Sequence, residues 1–117
     1  MEKFTITLPL TGEYLTTVRL TTGGICALAG FDVDATEDYK VCVTESLLIL
    51  KRNGFARASI CFSVDESLGC EVEGQEFSGE IEESIEDEIS RALLSALVGE
   101  VSFKTNLGKV EKISFVG

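Results

Sequence analysis

The chain has no histidine and a single proline among its 117 residues. Without histidine there is no Ser-His-Asp triad, no Cys-His pair and no imidazole-bound zinc. Positive charge is scarce as well. Ten Lys and Arg stand against 20 Asp and Glu, a net charge of −10, which argues against a nucleic-acid binder, because affinity for a phosphate backbone rests on cations. No apolar run approaches the roughly 18 residues of a membrane-spanning helix. The opening Met1-Glu2-Lys3 lacks the basic-then-apolar layout of a secretory signal, so the expected location is the cytoplasm. No CxxC pair joins any two of the four cysteines, Cys26, Cys42, Cys61 and Cys70, which argues against a zinc site or a thioredoxin-type redox motif.

What is present reads as one domain over residues 1–117. Apolar residues make up 44% of the chain, and a chain of this size buries about two-thirds of its unfolded surface, enough for one core. All four cysteines sit among apolar neighbours, so buried reduced thiols are expected. A Cys61–Cys70 bridge is disfavoured by register. Ala58, Ile60, Phe62 and Val64 form one face, and Leu68, Cys70 and Val72 the facing set, so Cys70 falls opposite Phe62 and Cys61 turns away.

Phe4, Ile6 and Leu8 alternate with polar residues as in a half-buried strand ended by Pro9. Tyr14 to Ala29 reads as a helix interrupted by Gly23-Gly24. Each glycine lowers helix propensity by around 1 kcal/mol relative to alanine, so the pair suggests close packing or a ligand against the backbone. Asp34-Ala35-Thr36-Glu37 has capping-box spacing for a second helix running to about Lys51. Tyr39, Cys42, Val43, Ser46, Leu47 and Leu50 share one of its faces, with Val41, Glu45, Leu48 and Ile49 opposite. Ala58–Val64 and Leu68–Glu73 form a hairpin. From Glu71 to Glu88 there are nine acids and no base. Ile81, Ile85, Ile89, Leu93 and Leu97 then recur every four residues as the stripe of a third amphipathic helix. The acids at its start suit the helix dipole as a solvated face, or make a docking patch for a basic partner. Val101–Thr105 and Val110–Val116 form a last hairpin. The order β-α-α-β-β-α-β-β predicts an α+β two-layer sandwich, a mixed, mostly antiparallel sheet with helices on one face.

Val18-Arg19-Leu20-Thr21-Thr22-Gly23-Gly24-Ile25, then Gly30-Phe31, then Glu37-Asp38-Tyr39-Lys40-Val41-Cys42-Val43-Thr44-Glu45-Ser46 resembles the anti-sigma-factor serine kinases, bacterial proteins of the histidine-kinase-like ATPase (Bergerat) fold. The resemblance implies that fold, with a shortened lid before the third helix. It implies a partner that is a sigma factor or a STAS-type anti-anti-sigma protein, and, in active members, ATP with magnesium and transfer of phosphate to a serine. The family places a base and an amide one helical turn apart, Glu-x-x-x-Asn. Here Glu45 matches the base, but the amide position holds Ile49, which has no oxygen for a hard cation. In the family's Asp-x-Gly-x-Gly stretch, the Asp becomes Val72, the first glycine is kept as Gly74 and the second becomes Glu76. The phosphate-wrapping Gly-x-Gly falls on Glu88 and Ser90. Arg19 matches the first-helix arginine through which members touch partners; a plain surface arginine is the alternative.

Charge points the same way. At about 6 Å a like-charge pair costs about 3 kcal/mol at an effective dielectric of about 20, and the acidic run offers a triphosphate several such pairs with no base within it. These departures imply a degenerate member, a pseudoenzyme without nucleotide cofactor or metal, in which Glu45 is a relic base or an ordinary helix carboxylate. Bulky Val41, Leu48 and Ile49 then fill the old pocket or line a wall for a partner. The expected function is transcription regulation by protein binding. The alternatives are an active serine kinase with Glu45 as base, and a structural module that homodimerises on the second helix.

Overall fold

Alternation within the strands decides which side of the sheet is covered. The computed structural model describes residues 2–82 and 84–117; Glu83, one of the nine acids, lies outside the described residues. In β2 (Phe55–Val64) and β3 (Leu68–Phe77), Ala58, Ile60, Phe62, Leu68, Cys70 and Val72 are buried. Ser59, Cys61, Ser63, Glu71 and Glu73 between them are partly or fully exposed. A strand with one apolar side in every two residues needs cover on that side only.

The cover is helical. In chain order the elements are β1 (Glu2–Pro9), α1 (Gly12–Leu28), α2 (Val33–Arg52), β2, β3, α3 (Ile85–Val98), β4 (Val101–Asn106) and β5 (Lys109–Val116). The order of element types is the expected one. The five-stranded sheet runs β1-β2-β3-β5-β4, and all its neighbouring pairs are antiparallel, the antiparallel end of the expectation. Helix α2 lies across β2, β3 and β5, with α1 and α3 packed beside it. The result is an α+β two-layer sandwich. No helix among the described residues is long and apolar enough to cross a membrane.

The predicted hairpin register holds. Phe62 pairs with Cys70, and Cys61 with Glu71 on the other face; all four cysteines are free thiols. Burial pushes the Cys70 thiol well up, as expected of a group whose charged form is desolvated. Tyr39, 2% exposed, anchors α2 to the sheet. Its ring meets Phe31 and Phe115, and its hydroxyl donates to the Leu68 carbonyl at 2.9 Å.

Three local expectations are corrected. Helix α2 is capped by Asp32, whose side chain accepts from the Ala35 amide at 2.8 Å, and not by Asp34. Thr36 bonds back to the Asp32 carbonyl through both its amide and its hydroxyl, which fixes the helix start two residues earlier. The Gly23-Gly24 pair is not a uniform packing feature. A Cβ on Gly23 would meet the Lys40 side chain at 3.0 Å, whereas Gly24 faces open space. The third correction concerns α3. Its isoleucine stripe does not face the core: Ile85 and Ile89 are 72% and 56% exposed, Ile81 precedes the helix, and Ser90 and Leu94 are the buried residues.

Candidate functional site

Glu45, Ile49 and Arg52 are four and three residues apart on α2, so they share one helical face. That face meets α3. The Ser90 hydroxyl on α3 donates a hydrogen bond to Glu45 Oε2 at 2.9 Å, and Ser90 Oγ itself accepts from Arg52 Nη1 and Nη2 at 3.3 and 3.2 Å. Arg52 also pairs with the Asp87 carboxylate, and Glu86 lies 3.8 Å from its Nε. Asn53 completes the set. Its side-chain amide donates to the Ile49 carbonyl at 2.8 Å and to Asp87 Oδ2 at 3.2 Å, while its Oδ1 accepts from the Val110 amide at 2.9 Å.

The side chains fit this arrangement by charge and by reach. Arg52 presents a planar fork of donors that suits a carboxylate and a hydroxyl together. It sits in the last turn of α2, where a cation is favoured by the helix dipole. Asp87 sits in the first turn of α3, where an anion is favoured for the same reason. The Arg52 side chain is only 11% exposed and that of Asp87 20%, so their attraction is poorly screened. Ile49, between Glu45 and Arg52, is fully buried.

The remaining predicted site residues are dispersed. Val72 is buried in the sheet between Ile60 and Ile113. Gly74 pairs with Ala58, and a Cβ on it would collide with the Phe55 ring; the missing side chain houses an aromatic ring. Glu76 is exposed, with φ 58°, 4.0 Å from the Arg57 guanidinium. Glu88 is exposed on α3, and its side chain makes no hydrogen bond or ion pair among the described residues. Arg19 is exposed on α1. With Val41, Thr44 and Glu45 it lines a shallow depression of about 140 Å³, so the proposed partner contact and the matched base position border one hollow between α1 and α2.

Sequence reasoning missed Arg52, Asn53 and Asp87. No base lies within the acidic run, and Arg91 is the first after it, yet α2 also brings Arg52 against it in space. A signal existed in the spacing of Asp87, Ser90, Leu94 and Leu97, which recur every three or four residues and mark a second face of α3. The site is also poor in reactive thiol. Burial raises the Cys42 thiol to about 11, with Asp38 and Glu45 adding to the effect.

No protein-family model matches the chain. Among curated proteins, it is 37% identical over 54 residues to the serine-protein kinase RsbW of Listeria monocytogenes and to that of Listeria innocua. Those residues are 46% of this chain and 34% of each relative, so the chain spans about a third of the length of the curated relatives it matches. The similarity is partial and distant.

Proposed function

We propose that the chain is a regulatory protein in the line of the anti-sigma-factor serine kinases, with a histidine-kinase-like ATPase (Bergerat) fold in a single domain, and that it acts by binding a protein partner without nucleotide. One observation carries this reading. Ser90, Arg52 and Asp87 draw α3 onto the face of α2 that holds Glu45 and buried Ile49. In the family, that face offers a base and a magnesium-binding amide. Here Glu45 already accepts a hydrogen bond from Ser90, and Ile49 offers only hydrocarbon, which is no ligand for a hard cation. The residues present do not suit Mg-ATP. The partner on this reading is a sigma factor or a STAS-type anti-anti-sigma protein, with Arg19 as a contact.

A second reading is an active serine kinase. The Listeria relatives are serine-protein kinases by name, which speaks for that reading more directly than for the first. Glu45 would then be the base, released from Ser90 when substrate arrives.

The thermal midpoint with and without millimolar Mg-ATP separates the two. A ligand at 100 times its dissociation constant adds about 2.7 kcal/mol, a shift of several degrees for a domain of this size. The first reading expects no shift. A clear shift, together with Glu45-dependent labelling of a partner serine from ATP, would replace it with the second.

A further inference from the structure

Helix α3 turns its most apolar side to solvent. Ser90 and Leu94 point toward α2 at 2% and 0% exposure, whereas Ile85, Ile89 and Leu93 are 72%, 56% and 36% exposed. At 100° per residue, these three fall with exposed Ala92 and Ala96 on an arc of roughly 100°, as wide as the face a helix normally buries. Soluble proteins seldom leave such a contiguous stripe without a use.

The charge around the stripe selects its occupant. Helical phase puts Glu86 on one rim and Glu88 on the other, and the exposed Glu80 and Glu82 precede the helix. Glu86 keeps a 3.8 Å contact with the Arg52 Nε, but the nearby bases are otherwise engaged. Arg91 lies over the Phe103 ring, 4.6 Å from its centroid, and Arg52 is held by Asp87 and Ser90. A second copy of the chain is a poor fit, since it would bring like acidic rims together on two molecules that each carry a net charge of −10. We infer that the outer stripe of α3 docks an amphipathic helix of a partner protein whose apolar face is flanked by Lys and Arg. The small side chains of Ala92 and Ala96 beside Ile89 and Leu93 leave grooves for the ridges of such a helix, and the acidic rims steer it and fix its orientation. This deepens the partner-binding reading above and rests on it, while naming a surface on the far side of α3 from Glu45.

The test titrates the full chain with labelled synthetic helical peptides and reads fluorescence anisotropy. One peptide carries a leucine stripe flanked by lysines, a second the same stripe flanked by glutamates, and a third the lysines with serines in place of leucine. The first is expected to bind at least about tenfold more tightly than either control, and to weaken as salt rises. Ile89→Ser, at an exposed position, is expected to reduce that binding by about tenfold with an unchanged thermal midpoint, and Arg19→Ala to leave it unchanged. Equal binding of the serine peptide would reduce the surface to an unspecific acidic attraction and overturn the proposal. So would absence of binding, indifference to Ile89→Ser, or a dimer in sedimentation that Ile89→Ser dissolves. A thermal shift with Mg-ATP alongside normal peptide binding would sink only the nucleotide-free reading. Failure of the peptide without any ATP shift would sink only this surface.

Discussion

The Ser90 hydroxyl donates to the Glu45 carboxylate across 2.9 Å, and this bond joins two helices whose contact faces are otherwise joined through Arg52 and Asn53. The single Ser90 hydroxyl hydrogen points to Glu45 in this bond; its lone pairs face the Arg52 guanidinium. A single small side chain therefore serves an anion and a cation at once.

Replacing Ser90 by alanine removes both interactions without adding bulk. Hydrogen bonds to charged groups contribute about 1.5–3 kcal/mol each, but Glu45 is partly exposed and water recovers part of the loss. The expected cost of Ser90→Ala is about 1–2 kcal/mol, read as a lower urea midpoint with an unchanged slope. An unaltered midpoint would show that the bond contributes nothing.

Arg52 carries more. Arg52→Met keeps much of the aliphatic stem but leaves the Asp87 carboxylate, 20% exposed, facing Asn53 alone. Removing one member of a buried pair typically costs about 3–5 kcal/mol, and the residual exposure of Asp87 puts the expectation at about 2–4 kcal/mol. The double variant Arg52→Met with Asp87→Leu is expected to lose clearly less than the sum of the single losses. Additive losses in that cycle would mean the two side chains do not act as a pair.

At Gly74 the prediction is about space. An added methyl meets the Phe55 ring, and overpacking of this kind costs about 1–3 kcal/mol. Gly74→Ala should lower the denaturation midpoint in the natural background and do so much less in a Phe55→Ala background, where the ring is gone. The same penalty in both backgrounds would assign the glycine another role.

The thiols give a pH dependence at the alkaline end. Burial raises Cys42 from 9.0 to about 11, and Asp38 and Glu45 push the same way; Cys26 and Cys70 are also raised by burial. Between these values the unfolded chain has released protons that the native chain still holds, so stability falls as pH rises. The contribution is intact below about pH 9 and lost as pH rises through about 11. Cys42→Ala should flatten part of this decline in thermal midpoint. A natural chain whose midpoint stays level from pH 9 to 11 would contradict the burial of these thiols.

The fold was legible where periodicity had one meaning. Alternation in β2 and β3 fixed both the buried face and the Phe62–Cys70 pairing, because a slip of one residue would expose every apolar side chain. It was less legible at Asp32 and Asp34, two equivalent cap residues decided by which carbonyl Thr36 can reach. The direction of α3 was not legible. Its strongest apolar stripe is Ile85 and Ile89, yet the helix faces inward with Asp87, Ser90 and Leu94, since Arg52 and Asn53 wait there as donors. Those partners lie 35 and 34 residues from Asp87, beyond any local pattern. The site was read in part: Glu45 and Ser90 meet as a pair, while Val72, Gly74, Glu76 and Glu88 serve four separate surroundings.

Asn53 has a consequence for how the chain assembles during synthesis. Its side chain joins the end of α2 to Asp87 on α3 and to the Val110 amide, 34 and 57 residues further along the chain. When α2 leaves the ribosome, neither of those partners has been made. Until then the Asn53 side chain keeps only its local bond to the Ile49 carbonyl, with its other polar groups open to water. Only arrival of the final hairpin satisfies them all, so a growing chain cannot complete its core early, and a stall before Val110 leaves an intermediate that a chaperone can still engage.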